Sequence, residues 1–118
     1  KYVEAKYKII ENKKNDAINI LDSIKKDEVL YHLAQFESIY LEIEEGNYDN
    51  ALNKIVTIEK DPNLNHYIEE MVVLEGEIYD YILLDYSKAA DVYLNFLELF
   101  PKSIYYDSIR LRLRELAL

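Results

Sequence analysis

The chain has 118 residues, among them two Gly, two Pro and no Cys, and it carries a formal net charge of −9. This length suits one domain with a real core, the lack of Cys excludes disulfides and thiolate metal sites, and no apolar run approaches the roughly 20 residues of a membrane helix. Because Gly and Pro are poorly tolerated inside helices, their scarcity predicts an all-α fold. No signal peptide is visible, and from the start at Lys1 rather than Met we expect a processed protein or a fragment of a longer chain.

The charge is unevenly distributed along the chain. Residues 27–98 hold 17 acidic groups against three lysines, a net of −14, whereas the two ends are rich in Lys and Arg. Nucleic-acid binding through the acidic body is disfavoured, because neutralisation of phosphates dominates such affinity. Two interpretations of the acidity stay open: a solvated surface, or steering toward a basic protein partner.

Apolar residues recur at spacings of three and four through almost the whole chain, which predicts successive amphipathic helices. Polar or helix-breaking residues interrupt the pattern, and Pro101 is a clear stop. Gly46 is expected to take a positive φ where the third helix ends, and Ser103 is expected to cap the last helix. The predicted helices cover residues 2–11, 16–25, 27–45, 49–60, 64–84, 87–100 and 103–117, and residues 61–63 form a further break.

A small residue recurs near the start of every second helix. Ala17, Ala51 and Ala89 are each followed by large apolar residues four and seven positions later. The first two alanines are 34 residues apart and the next two are 38 apart, an excess close to one helical turn of about 3.6 residues. A small residue allows two helices to approach closely, so we expect three helix pairs of similar construction.

A repeat of 34 residues made of two antiparallel helices is typical of tetratricopeptide repeats. The segment GNYDNA (residues 46–51) is similar to the turn inside such a repeat, and residues 86–89 recur at the same place in the third unit. Pro101 lies twelve residues after Ala89, where the family has its closing Pro, and Pro62 lies eleven after Ala51. The chain therefore resembles the tetratricopeptide repeat (TPR) family.

The resemblance implies a right-handed superhelical stack of three antiparallel helix hairpins plus a C-terminal capping helix. The repeats would span about residues 1–28, 29–62 and 63–101 of a single domain, with the terminal helix at 103–118. Departures from the family pattern are present. The Trp-Leu-Gly pattern is missing from the first helices, Asn12 stands where Gly is usual, and Gly76 lies thirteen residues before Ala89, whereas Ala5 lies twelve before Ala17. Ala34, Ser38 and Leu41 are also one residue out of phase with Ala51.

The third unit, YLNFLELFPKSIYYDSIRLRLREL, is similar to repeats of bacterial cell-envelope TPR proteins. In those repeats a Phe-rich helix ends in Pro-x-Ser, and Tyr and Asp precede the next helix. The same residue pattern also occurs in cytoplasmic TPR proteins. The resemblance therefore favours a bacterial protein and leaves both the periplasm or cell envelope and the cytoplasm open as its compartment.

Motifs for metal binding and catalysis are missing from the sequence. Neither His32 nor His66 has an acidic residue three positions before it, and His-Glu-x-x-His is absent. The segment DPNLN (residues 61–65) begins like a calcium loop, but His66 and Val72 stand where such a loop needs Gly and Glu. No Gly-x-Ser-x-Gly and no phosphate-binding Gly loop is present. We therefore expect no metal, no cofactor and no enzymatic activity.

The first helix of each TPR hairpin lines the concave face of the stack. Carried onto this chain, the resemblance implies a groove with candidate partner-binding residues Lys6, Phe36, Tyr40, Leu74, Ile78 and Tyr81. Tyr gives a large contact area plus a hydroxyl, which suits peptide recognition, although Tyr also packs helix pairs, as we expect for Tyr93. Lys6 alone is too little for a clamp on a peptide carboxylate. An acidic groove with Tyr instead predicts a basic or mixed apolar segment as the ligand.

The function predicted from the sequence is a non-catalytic protein–protein interaction scaffold. The alternative is a structural spacer or self-assembly segment of a longer helical repeat protein, joined through its terminal helix. Exposure of several of Ile109, Leu111, Leu113 and Leu116 would favour this alternative, because terminal repeats need polar outer faces. A small all-α enzyme is a third hypothesis, which a deep polar pocket with shifted carboxylates would support.

Overall fold

The computed structural model describes residues 1–61 and 65–117, with the backbone alone described at residues 65 and 66. The elements within these ranges are helical and none is a strand, which confirms the predicted all-α class. The predicted break at residues 62–63 and the side chain of His66 lie outside this description. The elements are α1 (Tyr2–Ile10), α2 (Lys14–Asp22), α3 (Tyr31–Glu44), α4 (Tyr48–Glu59), α5 (Asn65–Glu77), a π-helical segment (Ile78–Ile82), α6 (Tyr86–Leu99) and α7 (Tyr106–Leu116).

Two predicted helix starts are wrong. The third helix begins at Tyr31 rather than at residue 27, because two tight turns come first: Glu28 N–H donates to Lys25 O, and Tyr31 N–H donates to Glu28 O. Val29, in these turns, is 97% exposed, so a helix there would gain no burial. Ser103 does not cap α7. Its Oγ accepts from Tyr105 N–H at 3.0 Å and so stabilises the turn that precedes the helix.

The chain forms two compact units, Lys1–Lys54 and Ile55–Leu118. In the first unit α1 packs on α2 and α2 packs on α3. Three alanines of this unit's core have no solvent exposure, so the helices approach closely. The buried core consists of Ala5, Ala17, Ile18, Leu21, Ile24, Ala34 and Leu41.

In the second unit α5 packs on α6 and α6 packs on α7. The helices α5 and α6 approach each other closely at Gly76, since a Cβ added there would lie 2.8 Å from Cδ1 of Tyr93. The helix α7 closes this core with Ile109, while Leu113 and Leu116 pack against it partly buried. The buried core consists of Val72, Ala89, Tyr93, Phe96 and Ile109.

One helix-ending geometry occurs three times. Asn12, Gly46 and Leu84 have positive φ, at 61°, 80° and 54°, and each lies five residues before one of the three repeated alanines. In each case the next N–H donates back to the preceding helical turn at 2.8 Å: Lys13 to Lys8 O, Asn47 to Glu42 O, and Asp85 to Tyr79 O. These bonds satisfy carbonyls that the helix end leaves free. The positive φ expected for Gly46 is thus confirmed. Asn12, which stands at the end of the first helix where Gly is usual, takes the same geometry.

The third helix end contains one more residue than the other two. Leu83 N–H donates to Ile78 O at 2.9 Å, a bond that spans five residues, as in a π-helix. Asp85 N–H then reaches six residues back, whereas Lys13 and Asn47 reach five. One inserted residue explains why Gly76 lies thirteen positions before Ala89 while Ala5 lies twelve before Ala17.

Candidate partner-binding surfaces

The π-helical segment of the second unit buries an acidic side chain, Asp80, that is 1% exposed. Arg112 on α7 donates from Nε to Asp80 Oδ2 at 2.8 Å and from Nη2 to Oδ1 at 2.7 Å. The hydroxyl of Tyr93 on α6 donates to the same Oδ2 at 2.9 Å. A buried charge is tolerated when it is paired and hydrogen-bonded in this way. Asp80 therefore ties α6 and α7 to the π-helical segment.

The protonation states in this cluster are fixed around neutral pH. The hydrogen bonds from Arg112 hold the pKa of Asp80 below its ordinary value, against the opposing effect of burial. Burial, and then the bond to Asp80, raises the pKa of Tyr93. Asp80 stays ionised and Tyr93 stays protonated, so neither group exchanges protons near neutral pH. The cluster holds helices together and positions its neighbours.

Tyr81 is the neighbour that this cluster presents to solvent. Its side chain is 61% exposed, and the Arg112 guanidinium lies 5.3 Å from the centre of its ring. Arg112 is also held by Glu115, which accepts from Nη1 at 2.9 Å. A cation held over an aromatic face favours one orientation of the ring. Tyr81, one of the residues singled out from the sequence, is thus an exposed aromatic side chain whose ring orientation is stabilised by Arg112.

Ile78, another residue of the predicted groove, is 1% exposed, so its side chain is not available to a partner in this structure. The inserted π-helical residue explains why Ile78 is buried although it was predicted to face the groove. Lys6 and Tyr40 each lie six residues before a left-handed helix end, as does Ile78, but the insertion shifts the third unit by one position. The exposed residue that corresponds to Lys6 and Tyr40 is then Glu77. Burial, and then the nearby Asp80 charge, raises the pKa of Glu77.

The other predicted groove residues remain accessible to different degrees. Tyr40 is 41% exposed, while Phe36 and Leu74 are half-buried. Lys6 is exposed, and its Nζ donates to Glu37 Oε1, which also accepts from the hydroxyl of Tyr2 at 2.6 Å. The hydrogen bond to Glu37 raises the pKa of Lys6, so Lys6 stays charged but is already paired. The structure brings Lys6, Phe36 and Tyr40 into the first unit, and Leu74, Ile78 and Tyr81 into the second.

The first unit contains a second polar cluster, partly buried and centred on Lys54 of α4. Its Nζ donates to Ser38 Oγ at 2.7 Å and to Asp22 Oδ2 at 2.9 Å, and it lies 3.6 Å from Glu42 Oε2. Ser38 and Glu42 are 0% and 3% exposed. Glu42 and Asp80 are 38 residues apart, the same spacing in sequence as Ala51 and Ala89. Sequence reasoning missed this pair, although the shared spacing was a usable signal.

A pair of carboxyl groups lies beside a cavity of the second unit. The cavity has a volume of about 430 Å³ and is lined by Glu59, Ile68, Val72, Asn95, Leu99 and Phe100. The Glu59 carboxyl interacts with the carboxyl of Glu75 on α5. Burial, and then the Glu75 charge, raises the pKa of Glu59 to about 7, and burial also raises the pKa of Glu75. Sequence reasoning could not single out this pair, because carboxylates are abundant throughout the chain.

Among residues 1–61 and 67–117, whose side chains the structure describes, no three His, Asp or Glu side chains gather as a metal ion would need. Within the same part of the chain, no helix has the length and apolar character needed to cross a bilayer. Comparison of the sequence with protein-family models gave no match, and neither curated proteins nor solved structures gave a significant match.

Proposed function

We propose that this chain is a non-catalytic, TPR-like scaffold that binds a segment of a partner protein on the face formed by the first helix of each pair. One observation carries the proposal. The same left-handed helix end recurs at Asn12, Gly46 and Leu84, each time five residues before a fully buried alanine. Such recurrence is typical of helical repeats, which build extended binding surfaces from equivalent positions. The right-handed stack of three hairpins, with a groove on its concave side, is part of this proposal.

The chemistry of the exposed positions supports a basic or mixed apolar partner. Tyr40 and Tyr81 offer aromatic area to solvent, and Glu77 adds a carboxylate at the repeat position that Tyr40 occupies. Aromatic residues dominate the binding energy of many interfaces. The net charge of −14 over residues 27–98 favours encounter with a basic segment and disfavours nucleic acid.

The test is affinity capture of the natural partner with the purified chain, followed by measurement of the affinity for that partner. Tyr40→Ala and Tyr81→Ala together should weaken binding by at least about tenfold, which corresponds to about 1.4 kcal/mol. Tyr86→Ala is the matched control, because Tyr86 is 48% exposed and lies on α6, the second helix of its pair, outside the proposed face. Equal affinities for the wild type and the double variant would overturn the assignment of this face.

A second candidate function is a spacer or self-assembly segment, and one observation favours it. Val3, Tyr7 and Ile10 on α1 are 66%, 62% and 78% exposed and form an apolar stripe at helical spacing. On the terminal helix, by contrast, Ile109 is buried, Leu113 and Leu116 pack against the core, and Leu111 alone is exposed among the four predicted indicators. Self-association is thus favoured through α1 rather than through α7. Light scattering should show oligomers that Ile10→Lys dissociates, and a monomer at all concentrations would contradict this alternative.

A further inference from the structure

The exposed apolar stripe on α1 has the form of a helix-pairing surface. Val3, Tyr7 and Ile10 make up this stripe, and with Lys6 they stand at positions i, i+4, i+7 and i+3 of the helix. The four side chains, together with Tyr2, line a depression of about 330 Å³. In coiled-coil packing, four residues at this spacing form the hole that accepts one side chain of a neighbouring helix. The stripe is therefore shaped to receive another helix.

The apolar surface continues from Val3 toward the turns that precede α3. A second depression, of about 450 Å³, shares Tyr2 and Val3 with the first and is also lined by Val29 and Leu30. Val29 and Leu30 are both exposed. The exposed side chains of the two depressions amount to on the order of 500 Å² of apolar surface, as much as the largest patch on a typical monomer. Apolar surface of this extent marks an interaction site.

The charges on the two sides of the stripe complement each other between two copies of α1. At 100° per residue, Lys6 flanks the stripe on one side, and Glu4 and Glu11 flank it on the other. Glu11 N–H donates to Tyr7 O at 3.0 Å, so Glu11 continues the helical turn. In a parallel helix pair, a residue on one flank meets the residue five positions later on the opposite flank of the other copy. Lys6 then meets Glu11 of the second copy, and symmetry makes this contact twice.

The opposite orientation brings like charges together. In an antiparallel pair each flank meets the same flank of the other helix, so Lys6 would face Lys6 and Glu4 would face Glu11 of the second copy. Juxtaposed like charges disfavour an interface. The charge pattern of α1 therefore matches a second copy of this chain, and it matches the parallel orientation alone.

Lys6 and Glu11 have intramolecular partners and keep capacity for one more. Lys6 Nζ donates to Glu37, and Glu11 Oε2 lies 3.2 Å from Lys13 Nζ. An ammonium has three donors and a carboxylate has two acceptor oxygens, so each group can take a further partner. Because both side chains are about half-exposed, their pairing adds little affinity. The charges select the orientation, while burial of the apolar stripe supplies the free energy.

We propose that two copies of this chain pair through α1 in parallel and in register, with the apolar stripes in contact and Lys6 of each copy beside Glu11 of the other. The inference rests on the second candidate function, self-association through α1, and specifies its orientation. Two patches bury on the order of 1,000 Å², the lower limit for a specific interface. The dimer is therefore reversible, with a dissociation constant in the micromolar to millimolar range. A twofold contact of this kind is closed, so assembly through it stops at the dimer.

Disulfide cross-linking tests the orientation, because the chain has no Cys of its own. In a parallel pair in register, position 10 lies opposite itself, so Ile10→Cys should form a covalent dimer on oxidation. Leu111→Cys is the matched control, since Leu111 is also an exposed apolar residue but lies on α7. At equal concentration Ile10→Cys should cross-link at least about fivefold faster than Leu111→Cys. Equal rates, or cross-linking that needs a mixture of Val3→Cys and Ile10→Cys, would overturn the proposal.

Sedimentation equilibrium of the chain without cross-links tests the role of the charges. Glu11→Lys brings it against Lys6 of the second copy and should raise the dissociation constant of the dimer at least about fivefold. Glu4→Lys makes the same charge change on the same helix, but Glu4 has no opposite charge to meet in the parallel pair. It should therefore leave the dissociation constant within about twofold of the wild type. In antiparallel pairing both changes would instead tighten the dimer, because Glu4 and Glu11 face each other there.

The outcomes separate this inference from the proposed scaffold function. A monomer at all concentrations up to about 1 mM would overturn the inference together with the second candidate function. Binding of a partner at Tyr40 and Tyr81 would be unaffected by that result. A dimer in which Glu11→Lys and Glu4→Lys have the same effect would overturn the parallel arrangement and leave self-association standing.

Discussion

The carboxylate of Asp80 on the π-helical segment accepts two hydrogen bonds from the guanidinium of Arg112 on α7, at 2.8 and 2.7 Å. Asp80 is 1% exposed, and it reaches Arg112 across 32 residues of sequence. Partners so far apart in the chain cannot hold each other unless α7 is docked. The pair therefore makes α7 part of the folded unit. It also fixes the Arg112 guanidinium that lies over the Tyr81 ring.

We predict that Asp80→Asn lowers the free energy of unfolding by about 2 kcal/mol, because the change removes a buried charge-assisted pair while keeping the side-chain shape. The pKa of Asp80 is depressed in the folded state, so its contribution is present above its ordinary pKa and is lost as the pH falls through the lower folded value. The difference between wild type and variant in urea unfolding should thus shrink in acid.

Asp107→Asn is the matched control for this prediction. Its pairing with Arg110, at 3.7 Å, involves a carboxylate that is 88% exposed. Exposed pairs contribute little, so this change should alter the free energy of unfolding by less than about 0.5 kcal/mol. Similar losses for Asp80→Asn and Asp107→Asn would show that the buried pair has no special part in stability.

The all-α class and the end of the third helix at Gly46 were predictable, because they depend on local signals, whereas the starts of α3 and α7 were not. Gly46 marks one turn, and the alanines after the three turns mark the close helix contacts. The π-helical insertion was not predictable from spacing alone, since one extra residue can also be absorbed in a loop. Its consequence, the burial of Ile78 and the exposure of Glu77, therefore changed the candidate site. Buried acids were missed because solvated carboxylates outnumber them in so acidic a chain.

Leu84 is an apolar residue in a conformation that favours Gly, with a φ of 54°, and its side chain is 59% exposed. We predict that Leu84→Gly leaves stability unchanged or raises it by up to about 0.5 kcal/mol, because relief of left-handed strain offsets the added freedom of the unfolded chain. The control is Leu83→Gly, at a right-handed residue, which should cost about 1 kcal/mol. Thermal unfolding measures both, and an equal loss in the two variants would contradict the strain argument.

Replacing Gly46 tests the same left-handed geometry by the reverse substitution, from Gly to a residue with a side chain. A Cβ at Gly46 would meet nothing within 4 Å, so any cost of Gly46→Ala comes from its φ of 80° and not from a clash. We predict a loss of about 1 kcal/mol in urea unfolding, and we expect Gly46→Asn to lose less, because Asn tolerates the left-handed region. If Asn and Ala proved equally costly at this position, the backbone explanation would be wrong.

Gly76 is required for a different reason, the close approach of α5 to the ring of Tyr93. A Cβ there would lie 2.8 Å from Cδ1 and 3.3 Å from Cζ, and the ring is held by its hydrogen bond to Asp80. We predict that Gly76→Ala lowers the free energy of unfolding by about 2 kcal/mol through overpacking. In the Tyr93→Leu background the ring is gone, so the same change should cost much less. An unchanged cost in that background would refute the contact as the cause.

The Glu59–Glu75 pair should make stability fall with rising pH. The pKa of Glu59 is about 7 in the folded chain against an ordinary value of 4.5, so the folded state holds a proton that the unfolded state releases. A raised folded pKa contributes stability that is complete below about pH 4.5 and is lost progressively up to about pH 7. We predict that Glu59→Gln becomes more stable relative to wild type across this window, by about 1 kcal/mol after allowance for partial exposure.

Urea unfolding at about pH 4 and about pH 8 measures this difference, and Glu98→Gln, an exposed change in the same unit, controls for the loss of one negative charge. Because Asp80 has a depressed pKa, its contribution changes in the opposite sense and at lower pH, so the two effects separate along the pH axis. A constant difference between Glu59→Gln and wild type from about pH 4 to about pH 8 would mean that Glu59 is ionised in the folded chain, and the retained proton would then be excluded.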